Sequence, residues 1–327
     1  MRETRDPRPL ACPCAAAATS APLPEKLADL VALAGTQALD LGLAELALVG
    51  TCFDNAQILM RNAGALIQGR GGYAAFQPCG SRFRANRRRV TIRVNETRAV
   101  SVLRSSEMPA RRMPATISVV DAAGVVGHRI QLLDDADRLK AQSLPSAALD
   151  PMSEQGVTAM WQAANVVSLA GVRQARQRWT GAHLGDHLDD LLLDAGQARL
   201  SCLPYLGRAR ARRVATSILP SFLDFLCHHR AGFSATLPFG GMAQSMSAQA
   251  LGLRRAGSLL ICETDAGLFL VDMAQVGQGW VTRLGTAGVE AALELYDHDG
   301  RCLLLLHGDP WSNATNWASY LEAMPGA

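Results

Sequence analysis

Trp179–Gly196 reads WTGAHLGDHLDDLLLDAG and places two imidazoles, His183 and His187, one helical turn apart. Leu184, Leu188, Leu191 and Leu192 recur at steps of three and four, the apolar stripe of an amphipathic helix. His187 lies one turn from both Leu184 and Leu191, at the edge of that stripe. From there an imidazole can point into an apolar cavity while its other nitrogen finds a partner near the surface. A single iron ligand is presented to a buried macrocycle in this way. Two other readings use the same residues. A helix-flank histidine can merely pack or meet solvent. His183 and His187 with Asp186 or Asp190 can also hold zinc or another divalent ion, given further ligands such as His228 and His229.

Arginine is the other chemical signal. One cluster is Arg82, Arg84, Arg87, Arg88, Arg89, Arg93 and Arg98; a second is Arg208, Arg210, Arg212 and Arg213. Such patches serve nucleic acids when aromatic side chains are there to stack bases, but only 5% of residues are aromatic. Arg93 differs from its neighbours because it alternates inside the apolar strand Ile92-Arg93-Val94. An arginine there faces a cavity and needs an anion, such as a ligand carboxylate or a water on iron. Hydrolase signatures are missing: there is no G-x-S-x-G elbow, H-E-x-x-H helix or phosphate-binding loop.

The elements that position these residues follow from patterning. The chain has 327 residues, 49% of them hydrophobic, enough for one large or two medium cores. A net charge of +3 gives no global electrostatic case for nucleic acid or membrane. Eight cysteines without a Cys-x-x-Cys pair read as reduced core thiols of a cytoplasmic protein. No run reaches the length of a transmembrane span. Residues 1–25 read as a disordered tail.

The chain also repeats itself. Ala115–Gly124 (ATISVVDAAG) and Ala291–Gly300 (AALELYDHDG) are both period-two strands running into an Asp-x-x-Gly turn, and a second apolar strand follows each. Val90–Val94 and Val100–Leu103 precede the first hairpin, as Leu268–Val271 and Gly279–Arg283 precede the second. Helix-compatible segments, Asp134–Leu144 and Trp311–Met324, come after them. The expected fold is therefore α+β, a tandem duplication in which each half is a large antiparallel β-sheet with packed helices. The halves are 26–150 and 151–327, joined through Leu144–Gly156, and a helical insert over Val157–Leu226 carries His187.

Together these pieces resemble the cytoplasmic haemin-transport and haemin-degrading proteins of bacterial haem uptake (HemS/HmuS type), over about residues 40–325. Gly185–Leu192 resembles the family's Thr-Asp-x-His-x-Phe-Phe-x-Leu-Leu helix, which carries the axial ligand. The distance from His187 to Pro238-Phe239-Gly240-Gly241 fits the family's Phe-Val-Gly-Asn strand, and Trp280–Arg283, Leu293–Asp297 and Gly300 resemble its closing strands. In the first half Arg61-Asn62 resembles the opening of Arg-Asn-Glu-Tyr, which brings Thr91-Ile92-Arg93 onto the family's Asp-Leu-Arg. The chain departs from the pattern at Asp189 and Asp190, where the family has two phenylalanines, at Ala63–Ile67, and at Leu284, where it has a lysine.

The resemblance implies one haem b bound between His187, the axial metal ligand, and Arg93, the distal arginine, with Arg199 or an arginine of the Arg208–Arg213 cluster toward a propionate; His183, one turn away, is the alternative to His187 as ligand. It implies a cytoplasmic role in haem uptake, trafficking or degradation, with a haem-uptake transporter or a haem oxygenase as partner. A His/Arg pair permits haem-degrading activity without requiring it. The other reading is a divergent paralogue with this fold that binds a non-haem ligand or has a regulatory role.

Overall fold

The two Asp-x-x-Gly turns close antiparallel hairpins with the same hydrogen bonds. Asp121 Oδ1 accepts from the backbone N–H of Ala123 and Val125, both at 2.9 Å. Asp297 Oδ1 accepts from Asp299 and Arg301 at 2.9 and 2.7 Å. In each turn the glycine N–H returns to the aspartate carbonyl. Gly124 and Gly300 both sit at positive φ, +75° and +84°, where a side chain would be strained. The computed structural model describes residues 26–327 except 34, 85, 87–88, 99, 109–112, 148–172, 174–175, 178, 180–181, 195, 285–289 and 310–313. The expected tail over 1–25 and most of the expected linker lie outside the described residues.

Around the hairpins the halves match element for element. After α1 (Leu27–Val31) and β1 (Gln37–Leu39), the first half runs α2 (Leu43–Gly50), β2 (Ala56–Arg61), β3 (Ala65–Arg70), β4 (Tyr73–Pro78) and β5 (Val90–Val94). It continues through β6 (Ser101–Ser105), β7 (Ala115–Val120), β8 (Val126–Leu132) and α3 (Asp135–Gln142), and ends in the short β9 (Ser146–Ala147). Two helices, α4 (Leu184–Asp194) and α5 (Gln197–Cys202), and β10 (Ala211–Val214) precede the second copy. That copy is α6 (Leu219–His228), β11 (Gly232–Phe239), β12 (Met242–Ala256), β13 (Leu259–Thr264), β14 (Gly267–Asp272), β15 (Gln278–Leu284), β16 (Glu290–Tyr296), β17 (Cys302–Gly308) and α7 (Ala314–Glu322). Strands pair β6–β7–β8–β2–β3 in the first half and β15–β16–β17–β11–β12 in the second.

The halves are interleaved rather than side by side. β14 of the second half pairs with β3, and β5 of the first half pairs with β12, so each half lends strands to the other's sheet. The pairings are antiparallel as expected, apart from β4–β5, which is parallel. The main core lies between the sheets: Ile58, Ile67, Ile92, Phe233, Leu237, Met246 and Leu306 all belong to it, and α6 and α7 add Leu223 and Trp317.

Strand alternation then decides what the outer face of the second sheet presents. Cross-strand partners point to the same side. The register Thr91↔Ser245↔Thr236↔Leu305↔Glu294 and the next row, Ser247↔Ser234↔His307↔Ala292↔Thr282, therefore share one face. That face is unusually polar for a buried surface, and α4 lies over it. Its hydroxyls pair with one another, Ser234 with Ser247 at 2.5 Å and Thr236 with Ser245 at 2.7 Å.

The matched hairpins differ in burial, Asp297 being 6% exposed and Asp121 half-buried. Asp297→Ala removes two charge-assisted bonds to backbone N–H groups and should cost about 2 kcal/mol in urea denaturation. Asp121→Ala should cost less; equal or reversed losses would contradict this account of the turns.

Candidate functional site

α4 forms where the leucine stripe predicts it. Leu188, Leu191 and Leu192 are buried, and Leu188 and Leu191 join Trp179, Leu203, Trp280, Ala292, Tyr296 and Leu305 in a second apolar cluster. The two histidines part company at the helix start. His183 precedes the first turn, its N–H donating to Asp186 Oδ2 at 2.7 Å, and it is exposed. His187 is 1% exposed. Among the described residues no group of three or more His, Cys, Asp or Glu is placed to hold a metal ion, and His183 and His187 do not converge.

The first turn of α4 rests on the segment after β4. A Cβ on Gly185 would lie 2.7 Å from the Ser81 carbonyl oxygen and 3.3 Å from Arg93 Nη2, so only glycine allows this approach. Asp189 then reaches Arg93, which is 1% exposed on β5. Arg93 Nε donates to Asp189 Oδ1 at 2.5 Å and Nη2 to Oδ2 at 2.8 Å. Arg93 Nη2 also donates to the Ser81 carbonyl, and the Gly80 N–H donates to Asp189 Oδ2. The anion that the strand arginine requires is thus supplied by the helix itself, from a residue at which the chain departs from the HemS pattern.

Arg199, on α5, is equally engaged. Its Nε and Nη2 donate to the two oxygens of Glu294 on β16 at 2.8 and 2.6 Å, and both side chains are fully buried. Thr282 and Tyr296 donate to the same carboxylate at 2.5 and 2.7 Å, so each oxygen has two donors. Burial alone would push the Glu294 carboxyl up; the Arg199 charge and these hydrogen bonds hold it below its ordinary value of 4.5. The Arg199 guanidinium lies 4.3 Å over the Trp179 ring, and Trp179 also meets His187 edge-on with ring centres 4.6 Å apart.

The third donor of Arg199 corrects one expectation. Nη1 lies 2.8 Å from His187 Nδ1. A guanidinium can only donate, so Nδ1 accepts and the proton of a neutral His187 sits on Nε2. The partner of this ring is a buried cation and not a surface group.

A histidine on this sheet face escaped the sequence reading. His307 on β17 is 3% exposed and stands edge-on to Phe83, which packs on the second apolar cluster, with centres 5.6 Å apart. Its Nδ1 lies 3.0 Å from the Gly308 carbonyl, which can only accept, so this ring carries its proton on Nδ1. Nε2 is buried and, among the described residues, has no hydrogen-bond partner. Burial pushes its pKa down to about 4, so it is neutral at physiological pH. A polar residue ending an apolar run, LLLLHG, was the available signal. Glu294 was missed although it alternates in an apolar strand just as Arg93 does. Arg87 and Arg88 lie outside the described residues.

No family model and no curated protein matches the chain. Solved structures match over nearly its whole length. The heme degrading enzyme ChuS of Escherichia coli O157:H7 is 16% identical, covering 91% of this chain and 89% of its own, with a TM-score of 0.71. Holo-PhuS, a heme-binding protein from Pseudomonas aeruginosa, is 15% identical over 92% of this chain and 89% of its own, also at 0.71. The chain therefore has the ChuS and PhuS fold, as its HemS-like sequence features anticipate. No helix among the described residues is long and apolar enough to cross a membrane.

Removing one side of the buried ion pair strands the other. Glu294→Gln should destabilise the protein by about 3–5 kcal/mol in urea, and Arg199→Met with Glu294→Leu should recover much of that loss. The depressed Glu294 pKa contributes stability present above the ordinary carboxylate value and lost as pH falls through the folded one. Glu294→Gln should therefore flatten the acid limb of a stability–pH curve; an unchanged limb would remove Glu294 from that role.

Proposed function

We propose that this chain binds one haem in the layer between α4 and the polar sheet face. His187 would be the axial ligand, Arg93 would lie across the iron from it, and Arg199 would turn toward a propionate. One observation carries the reading. Asp189, two residues beyond His187, grips Arg93 on a distant strand, so the residues named for opposite sides of the ring border one buried layer. The shared fold supports it, since ChuS is described as a heme degrading enzyme and PhuS as a heme-binding protein.

The residues suit haem in kind. Buried imidazoles can face iron, guanidinia can meet carboxylates, and the second apolar cluster offers a wall for a ring. A macrocycle brings four ligands of its own and so needs no cluster of protein donors, and the lack of a Cys-x-x-Cys pair fits unattached haem b. When bound, haem would supply the iron chemistry of any ring breakdown. The chain's own task is to exchange partners. Arg199 has to leave His187 Nδ1 before that nitrogen can take the proton and free Nε2 as a ligand. Asp189 has to release Arg93 before the arginine can meet anything else. Glu294 keeps Thr282 and Tyr296 as donors while Arg199 turns outward.

The role we assign is cytoplasmic haem trafficking, receiving haem at an uptake transporter and carrying it or presenting it to a haem oxygenase. A same-fold protein with a non-haem ligand or a regulatory role is the second reading, favoured by the internal pairing of both arginines. Haemin titration decides between them. The wild type should give a saturable one-to-one Soret band, with affinity weakened about 10–100-fold by His187→Ala and the band shifted by Arg93→Ala. Absence of a saturable band would exclude haem as the ligand. Asp189→Asn loosens the hold on Arg93 and should bind haemin about tenfold more tightly, equivalent to ~1.4 kcal/mol; weaker binding would mean Asp189 helps the ligand and does not compete with it.

A further inference from the structure

His187 and His307 face the same layer in opposite states of readiness. Arg199 donates to His187 Nδ1, which leaves the proton on Nε2. The Gly308 carbonyl accepts from His307 Nδ1, which leaves the lone pair on Nε2. A metal-bound imidazole is ordinarily oriented in this second way, its other nitrogen donating to a carbonyl or carboxylate. His307 Nε2 is also buried without a partner, an arrangement that costs free energy unless something else satisfies it.

Position agrees with tautomer. Register places His307 beside Ser234 and Ala292, on the face that also carries Thr91, Thr236 and Glu294. The hydroxyl opposite it, Ser234, pairs with Ser247, and among the described residues no hydroxyl reaches Nε2. Thr91 Oγ1, on the same face, is likewise buried without a partner. Phe83 stands against the His307 ring and packs on the apolar cluster that holds Trp179, the aromatic partner of His187. With no cluster of three donors among the described residues, a lone imidazole suits a metal that carries its own equatorial ligands.

We propose that His307 Nε2 is an iron ligand of this layer, able to take haem iron while Arg199 still holds His187. The proposal rests on the haem reading above. It makes His307 the ligand of the arrangement observed and His187 the ligand of one in which Arg199 has turned away.

The test is haemin titration of the full chain, followed through the Soret band, in wild type, His187→Ala, His307→Gln and the double variant. His187→Ala should keep a saturable band that the double variant loses, and His307→Gln alone should alter the wild-type spectrum. If His307→Gln changes neither the affinity nor the spectrum in either background, the inference falls while the haem reading stands. If the wild type shows no saturable band, both fall. Nitrogen NMR of the ligand-free protein gives a check independent of how the variants fold: His307 Nε2 should show the signature of an unprotonated ring nitrogen. A protonated Nε2 there would overturn the proposal.

Discussion

The fully buried pair Arg199–Glu294 is the constraint around which the second half is arranged. Removing two charges from water costs several kcal/mol per ion, and that cost is met only when geometry and hydrogen bonding are complete. Here they are. Four donors saturate the carboxylate, and the guanidinium lies over the Trp179 ring while its Nη1 donates to the His187 nitrogen. Each partner comes from a different element, so the pair locks α5 to β15 and β16 and draws α4 onto them. The tautomer of His187 is a consequence of this arrangement, because a cation that cannot accept leaves the ring only one way to place its proton.

A second consequence follows from the interleaving of the halves. β5 belongs to the first half in sequence but lies beside β12 in the sheet, which brings Arg93 to the layer beneath α4. The duplication thus serves the site directly: the second half's helix meets an arginine that only the first half can supply. The polar rows of Ser245, Thr236, Ser247 and Ser234 are the price of that layer, tolerated because these four hydroxyls satisfy one another across strands.

Much of this was legible in the sequence, for identifiable reasons. The Asp-x-x-Gly hairpins are local, since one carboxylate and one glycine determine the turn, and both copies have the expected geometry. The leucine stripe of α4 is local too. Arg93 was recognisable as an arginine in need of an anion, because burial and charge conflict wherever they occur in an apolar strand. Which anion it finds was not legible: Asp189 is distant in sequence, and pairing it with Arg93 requires knowing that α4 crosses β5. Glu294 in Leu293-Glu294-Leu295 obeys the same rule as Arg93 and could have been flagged on the same ground. The tautomers of His187 and His307 lay beyond sequence altogether, since each depends on a single donor or acceptor brought in by tertiary packing.

What the layer can accept follows from its charge balance. Arg93 is matched by Asp189 and Arg199 by Glu294, with Asp190 Oδ2 a further 3.8 Å from Arg199 Nη1, so both guanidinia of the layer are held in ion pairs. A neutral apolar ligand would gain nothing by breaking them. A ligand that carries its own carboxylates can replace an internal anion with an external one, keeping each guanidinium paired throughout the exchange. The two pairs differ in how readily they can make that exchange. Asp189 is 20% exposed and can be rehydrated when Arg93 leaves, whereas Glu294 has no contact with water and depends on Thr282 and Tyr296 to remain ionised. Opening should therefore begin at Arg93–Asp189, on the α4 side, with Arg199 yielding only after a carboxylate is close enough to take its charge.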